Sequence, residues 1–315
     1  MKSFVKLLTL VFSAFFIFPS CSGAAVYLTY EEGDYEILDG DAVSSESFDA
    51  IEIRWGRGDV NIVAGDHDGV LIFEDYEQPN SPATDELARY CIEDGKLVIQ
   101  FCAPKKLLSG IKKNLTVSIS NSLAEMLSDI AVVSTAGALL IDSVCSDNIN
   151  IVTAGGSISM QSVSASGIDI DMASASLNFN DVSVSDKLSL VCASADISMK
   201  ETDADILSLS GMSCDLDVEG NLEVVDIDAT SVNAKLLLNG ERISRMDGNF
   251  VSGNVTVYLP EEMDGFKAKI EGLSTSFSTD FETRKRGEEY IYGNGRAVFS
   301  FSGASGSLEI QKITE

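Results

Sequence analysis

Three consecutive residues, Arg57-Gly58-Asp59, spell a tripeptide that some animal adhesion receptors bind. The same residues also suit a tight turn, because glycine tolerates backbone conformations that other residues avoid and aspartate hydrogen-bonds to nearby backbone. Arg57 and Asp59 are therefore candidates for binding a partner, with the turn as the favoured interpretation.

Aspartates are the second set of candidate ligands. Asp196 and Asp215 occupy the same position in two successive sequence repeats, so stacked repeats would hold their carboxylates about 5 Å apart. Asp169 and Asp171 form one of several outward-facing acidic pairs. Calcium ions bind several oxygen ligands, which stacked carboxylates can supply. The sequence has neither a glycine-rich nonapeptide Ca²⁺ repeat nor an EF-hand loop, so no cofactor is predicted and Ca²⁺ binding stays an open alternative.

The residue inventory argues against the common catalytic centres. His67 is the only histidine, and none of the six cysteines lies in a C-x-x-C spacing or next to it. Zinc sites and cysteine–histidine nucleophiles need such partners, so we predict that the chain is not an enzyme. Most of the five cysteines that follow Cys21 are interpreted as small apolar fillers of a core. They are Cys91, Cys102, Cys145, Cys192 and Cys214.

Residues 1–20 have the pattern of an export signal. Lys2 and Lys6 precede a largely apolar run, Leu7 to Phe18, whose length suits a signal peptide and is short for a membrane span. Cys21 follows closely, as in bacterial lipoprotein signals, in which this cysteine carries the lipid. Cleavage after Ala24 is the alternative, and both interpretations export the protein. Residues 21–47 are then a tether.

The charge limits the possible partners. The formal net charge is −27, and it becomes −29 once the two leader lysines are removed. A surface this negative repels nucleic acid and anionic lipid headgroups and attracts metal ions or basic peptides. The charge also serves solubility, which is its simplest explanation.

An internal repeat with a step of about 19 residues is the strongest pattern in the chain. Each repeat reads as a short alternating strand, a corner, a second alternating strand and a polar return. Alternation places every second residue on one face, and a unit this short can bury its apolar face only against its neighbours. The first strands start at Ile130, Ile149, Ile168, Leu188, Leu207 and Val225.

Stacked repeats predict an all-β fold, a single-stranded parallel β-solenoid or β-helix with rungs of about 19 residues over residues 129–243. A rung here means one repeat. Small inward residues are expected to let the backbone turn at the corner. This corner position holds Thr135, Ala154, Ala173, Ala193, Met212 and Thr230.

The flanks continue the pattern less regularly. Residues 48–128 begin with a rung-like segment and continue with alternating strands, among which Asp94-Gly95 suits a hairpin turn. We interpret the strands of residues 69–120 as an antiparallel N-terminal cap that covers an open sheet edge. Residues 244–315 contain further rung-like segments and a capping hairpin over residues 282–295.

The corners of several rungs share a motif. It reads Gly56-Arg57-Gly58-Asp59-Val60, Ser134-Thr135-Ala136-Gly137, Thr153-Ala154-Gly155-Gly156 and Gly303-Ala304-Ser305-Gly306. With these motifs the chain resembles the bacterial "putative adhesin" domain family of unknown function, over roughly residues 48–310. The resemblance implies a β-solenoid at the cell surface and transfers no catalytic or metal-binding residue. Alanine and serine replace the family's glycine and aspartate at residues 173–176.

Two functions fit these patterns. The first is an exported cell-envelope β-solenoid with an adhesive or structural role, anchored to a bacterial membrane through lipid at Cys21 and contacting a host or envelope protein or a glycan. The alternative is an envelope-stress accessory protein that captures cationic peptides through its acidic surface. Part of the support for the alternative comes from the resemblance, since some relatives are associated with envelope stress.

Overall fold

The computed structural model describes residues 28, 30–38, 42–44, 48–76, 82–104, 111–239 and 242–313. Residues 1–20, Cys21 and much of the predicted tether lie outside this range. The elements are β1 Glu36–Ile37, β2 Ala42–Ser44, β3 Ala50–Trp55, β4 Val60–Gly65, β5 Val70–Tyr76, β6 Arg89–Glu93, β7 Lys96–Gln100, β8 Lys113–Ser120, α1 Asn121–Ala124, β9 Leu127–Ser134, β10 Ala138–Asp142, β11 Cys145–Leu238, β12 Arg245–Leu259, β13 Gly265–Thr279, β14 Arg284–Arg286, β15 Glu289–Gly293 and β16 Ala297–Lys312.

The prediction of an all-β protein is confirmed. Within the described ranges the helix α1 has only four residues, and no helix there has the length and apolar character needed to cross a membrane. The chain divides into two compact units: a first unit that ends at Val182 and a second unit, Ser183–Glu315.

Parallel pairing builds the core of the first unit. Ile130 on β9 pairs with Ile149 on β11, one repeat later, and with Ile51 on β3. Ile51 in turn pairs with Leu97 on β7. All four side chains are fully buried, so like residues stack in an inward ladder. Each ladder removes apolar surface from water, and this burial stabilises the fold by about 25 cal/mol per Å² of apolar surface.

The order of the rungs departs from the order of the chain. Two strands of the antiparallel cap predicted over residues 69–120 also join the parallel stack, because β7 pairs in parallel with β3, and β8 pairs in parallel with β4. The segment formed by β3 and β4 therefore lies between β7–β8 and β9–β10. The sequence did not predict this insertion, because strand alternation fixes the buried face and not the neighbouring strand.

Antiparallel pairs do occur on the outer side of β7 and β8. β6 pairs with β7, β5 with β8, and β2 with β5. The predicted hairpin turn at Asp94-Gly95 is confirmed, with φ of 50° and 77° at the two residues, as a type I′ turn requires. Cys91 lies opposite Val98, as this turn predicts.

Glycines form a second ladder, at the corners of the first unit. Gly58, Gly137 and Gly156 have φ of 109°, 124° and 107°, a region that residues with a Cβ avoid. A Cβ on Gly137 would overlap the Gly58 carbonyl oxygen, and a Cβ on Gly156 would overlap that of Gly137. The corner thus depends on these glycines. The sequence analysis predicted that the corner position of Thr135 faces inward. Thr135 is instead partly exposed.

A different corner holds non-glycine residues in the left-handed region. Ser143, Ser162 and Asp181, which follow one another at the step of the repeat, have φ of 59°, 49° and 57°. Glu201 in the second unit has φ of 48°. This conformation costs an L-residue about 1–2 kcal/mol, so one strained position recurs per rung.

Replacing Ser143 with glycine is expected to give a protein more stable than the Ser143→Ala variant by about 1 kcal/mol. Both variants lose the hydrogen bond that the Ser143 hydroxyl donates to Asp142 (2.9 Å), so their difference reports the backbone conformation. The measurement is the urea concentration at the unfolding midpoint. At the exposed Ser166, which is not among the positive-φ residues, the glycine variant should be the less stable one. The same order at both positions would contradict the interpretation.

In the second unit, the C-terminal strand is inserted between two earlier ones. β16 pairs in parallel with both β12 and β13, and β12 pairs in parallel with β11. Gly248 faces Phe301 across the β12–β16 pair, and a Cβ at Gly248 would overlap that ring. β14 and β15 form the hairpin expected near the C-terminus, and β15 also pairs antiparallel with β13.

Candidate functional site

The Arg57-Gly58-Asp59 corner is tied into the fold through its own polar groups. The Asp59 carboxylate accepts a hydrogen bond from the Ala138 N–H (2.9 Å), and the Asp59 N–H donates to the Asn114 side chain (3.0 Å). The Lys113 N–H donates to the Arg57 carbonyl (3.1 Å). The Arg57 side chain is exposed and Asp59 is partly buried. The contacts of Asp59 are those of a turn residue that links adjacent rungs.

The aspartates predicted as stacked ligands lie on the surface. Asp196 and Asp215, both in the second unit, are exposed. In the first unit, desolvation by neighbouring atoms and, next, the charge of Asp169 raise the pKa of the Asp171 carboxyl. Across the residues whose positions are described, no three histidine, cysteine, aspartate or glutamate side chains converge as metal ligands would. Calcium binding therefore stays an open alternative without a defined site.

Outward polar side chains are linked from rung to rung by hydrogen bonds. In the first unit, the Asn150 amide donates to Asp129 (3.1 Å), and the Ser162 hydroxyl donates to Asp181 (3.0 Å). The second unit repeats the arrangement. There the donor and acceptor pairs are Asn221 to Asp203 (2.8 Å), Ser302 to Asn249 (2.6 Å) and Ser307 to Asn254 (2.9 Å). Each contact links one pair of outward side chains, and the parallel register of the strands places the outward side chains of neighbouring rungs in rows.

Negative charge is concentrated in the repeated region. Residues 129–243 contain 18 aspartates and glutamates and four lysines and arginines, a net charge of −14. On the second unit, two arginines lie beside aspartates. Arg242 pairs with Asp205, and Arg245 lies 3.2 Å from both Asp226 and Asp247. The rows of polar side chains therefore carry a net negative potential.

A buried ion pair in the first unit was not predicted from the sequence. Lys113 Nζ lies 2.5 Å from Glu74 Oε1, and both side chains are almost fully buried. The ammonium also donates to the backbone carbonyls of Glu86 (2.6 Å) and Phe101. Burial lowers the pKa of Lys113, and the Glu74 charge partly opposes that effect.

The aromatic surroundings complete this cluster. The Lys113 ammonium lies 4.3 Å from the centre of the Phe101 ring, and the buried Trp55 indole donates to the Lys113 carbonyl (3.0 Å). A signal for the pair exists in the sequence, because Lys113 shares the strand parity of Leu115 and Val117. Cut off from solvent, the cluster is suited to fixing the fold rather than to binding a ligand.

A serine–histidine contact is the second feature that sequence reasoning missed. His67 Nε2 lies 2.8 Å from Ser118 Oγ. The other ring nitrogen, Nδ1, lies 3.4 Å from the Asp68 backbone carbonyl. A catalytic serine–histidine pair needs a group that orients the imidazole and donors for an oxyanion. A long contact to a backbone carbonyl in an exposed turn orients the ring weakly, and the contact is better explained as a link between the turn and β8.

A family comparison agrees with this architecture. The model of the family described as Toastrack DUF4097 matches residues 48–311, which is most of the chain. The chain belongs to the Toastrack DUF4097 family. The resemblance inferred from the corner motifs is thereby confirmed. The motif residues include the three corner glycines described above, Gly58, Gly137 and Gly156. No curated protein shows significant similarity to this chain.

Three solved structures are similar over most of their length. A "putative cell adhesion protein" from Clostridium sporogenes has 12% identity, covers 87% of this chain and 99% of its own, and gives a TM-score of 0.21. A "Putative lipid binding protein" from Parabacteroides distasonis has 14% identity, coverages of 88% and 98%, and a TM-score of 0.38. A "putative adhesin" from Bacteroides fragilis has 12% identity, coverages of 87% and 96%, and a TM-score of 0.32. At these TM-scores the likenesses support no conclusion about function.

Proposed function

We propose that this Toastrack protein is an exported cell-envelope scaffold with an adhesive or structural role, whose polar outward rows contact a protein or glycan. The observation that carries the proposal is the set of hydrogen bonds between outward side chains of neighbouring rungs. Ordered side chains lose little freedom when a partner binds. A repeated surface of this kind suits an extended partner.

Export and anchoring complete the proposal. The leader of residues 1–20 and Cys21 direct the chain to the envelope and attach it by lipid to a bacterial membrane. Regular rungs of about 19 residues over residues 129–243 present the polar rows. The antiparallel strands next to β7 and β8 act as the N-terminal cap, which blocks edge-to-edge association.

The anchoring step is tested with Cys21→Ser in the full chain. We expect most of the wild-type protein in the membrane fraction and most of the variant in the soluble or secreted fraction, since the variant lacks the lipidated residue. Cys145→Ser is the matched control, because it removes an exposed thiol and should leave the distribution unchanged. Equal membrane association of the wild type and Cys21→Ser would contradict lipid anchoring.

The adhesive role is tested by deleting the gene and measuring attachment of the cells to surfaces and to host material. Attachment should fall and should return with the wild-type gene. Unchanged attachment, together with a new sensitivity to basic antimicrobial peptides that high salt relieves, would instead favour capture of cationic peptides.

A further inference from the structure

Two cysteine sulfurs in the second unit lie in direct contact. Cys192 Sγ is 2.8 Å from Cys214 Sγ, and both residues are buried, with 0% and 3% of their surface exposed. A disulfide needs about 2.05 Å between its sulfurs, so a displacement of under about 1 Å would join them. The expectation that these cysteines only fill space does not account for such a close approach.

The surrounding sequence makes room for this contact. Cys192 lies four residues after Leu188, the first anchor of its rung, and Gly211 lies four residues after Leu207, the anchor of the next rung. A Cβ on Gly211 would overlap Cys214 Sγ and would lie 2.8 Å from Cys192 Sγ. Cys214 occupies the space that the missing side chain leaves. One rung therefore contributes a cysteine, and the next contributes a glycine and a second cysteine three residues later.

The contact also changes the chemistry of the Cys214 thiol. The Cys192 thiol hydrogen-bonds to Cys214 and lowers the pKa of the Cys214 thiol, although burial opposes this shift. A lower pKa increases the thiolate fraction, and the thiolate is the form that attacks a disulfide. Cys145, by contrast, is exposed, and burial raises the pKa of Cys91.

We propose that Cys192 and Cys214 form an intrachain disulfide that links two successive rungs when the folding chain meets a disulfide donor. The Cys214 thiolate attacks a donor disulfide R–S–S–R, which forms a mixed disulfide and releases one RS⁻. Cys192, as its thiolate, then attacks Cys214 Sγ and releases the second RS⁻. The two cysteines lose two protons and two electrons, and the donor is reduced to two thiols. Formation in the cell depends on the export proposed above, because exported compartments are oxidising.

The test begins with the full chain, unfolded in urea and refolded in glutathione buffers from fully reduced to fully oxidised. After oxidised refolding, peptide mapping should show a peptide that joins Cys192 to Cys214 and disappears with reductant. The link closes a short loop, so the oxidised protein should melt about 5–10 °C higher than the reduced one. This difference should vanish in Cys192→Ser and in Cys214→Ser and persist in Cys145→Ser.

The outcomes separate this inference from the proposed location. If Cys192 and Cys214 are both alkylated after refolding at every glutathione ratio, or if they link to other cysteines instead, the disulfide proposal is overturned. If the link forms in glutathione buffer but is absent from protein isolated from its own cells, the disulfide geometry holds and the proposed export fails.

Discussion

Replacing Gly137 with alanine is expected to destabilise the first unit by about 3–5 kcal/mol, the largest effect of any single substitution considered for the corners. The added Cβ would overlap the Gly58 carbonyl oxygen, and φ of 124° lies outside the range that alanine adopts. The two rungs would have to separate at this corner, because the nearest atoms that the Cβ would meet belong to the backbone of Gly58 and Asp59, and no flexible side chain could move aside. Chemical denaturation followed by circular dichroism measures the loss.

Gly287 supplies the matched control for Gly137. It also has a positive φ, 64°, but a Cβ there would meet no atom within 4 Å. Gly287→Ala should therefore cost only the conformational strain, about 1 kcal/mol. Equal losses of stability in Gly137→Ala and Gly287→Ala would contradict the claim that Gly137 is needed for the close approach of the two rungs.

The second large effect is expected when the buried pair of Lys113 and Glu74 is broken. Lys113→Met and Glu74→Gln should each lose about 3–5 kcal/mol, because each leaves its charged partner buried without a counter-charge. The Lys113 change also leaves two backbone carbonyls, those of Glu86 and Phe101, without their donor. Unfolding midpoints in urea measure both losses.

The double variant gives the sharper test of this pair. Lys113→Met combined with Glu74→Gln removes both charges, so its loss should be well below the sum of the two single losses. Lys235→Met removes an exposed lysine 3.8 Å from Asp217 and should change stability by less than about 1 kcal/mol. Additive losses in the double variant would show that the two charges do not interact.

The buried faces of the strands could be predicted from the sequence, and the neighbours of each strand could not. Alternation placed Ile130 and Ile149 inward, and the structure stacks them. The same alternation did not show that β3 pairs with β9, far along the chain, while β7 takes its other edge. Strand order depends on loops and on registers that an alternating pattern does not encode.

Polar residues at apolar positions of the pattern also indicate structure. Lys113 and Glu74 share the parity of buried neighbours, which is unusual enough to indicate a buried pair. Asp59 shows the opposite case. The Arg57-Gly58-Asp59 sequence suggested a binding motif, whereas the structure shows the Asp59 carboxylate accepting a hydrogen bond from the next rung. Only three-dimensional contacts distinguish these two roles.

The cysteines illustrate a third limit of the sequence. Cys192 and Cys214 lie in successive rungs, and no spacing motif links them. Cys192 lies four residues after the anchor Leu188, and Cys214 lies seven residues after the next anchor, Leu207. The two sulfurs meet because Gly211 has no side chain to fill the space between them. The general role of filler holds for Cys102, which is buried, and is wrong for Cys145, which is exposed.

Site-directed crosslinking in the first unit tests most directly whether successive repeats lie side by side in parallel. Ala131 on β9 is the register partner of Asn150 on β11. With Cys91 and Cys145 replaced by serine, the pair Ala131→Cys and Asn150→Cys should be joined efficiently by a short bifunctional maleimide. The control pair is Ala131→Cys with Asn178→Cys, and it should not be joined. Asn178 lies in the second strand of the rung that begins at Ile168. Absence of the first crosslink, or equal formation of both, would contradict the stacked parallel arrangement on which the proposed scaffold depends.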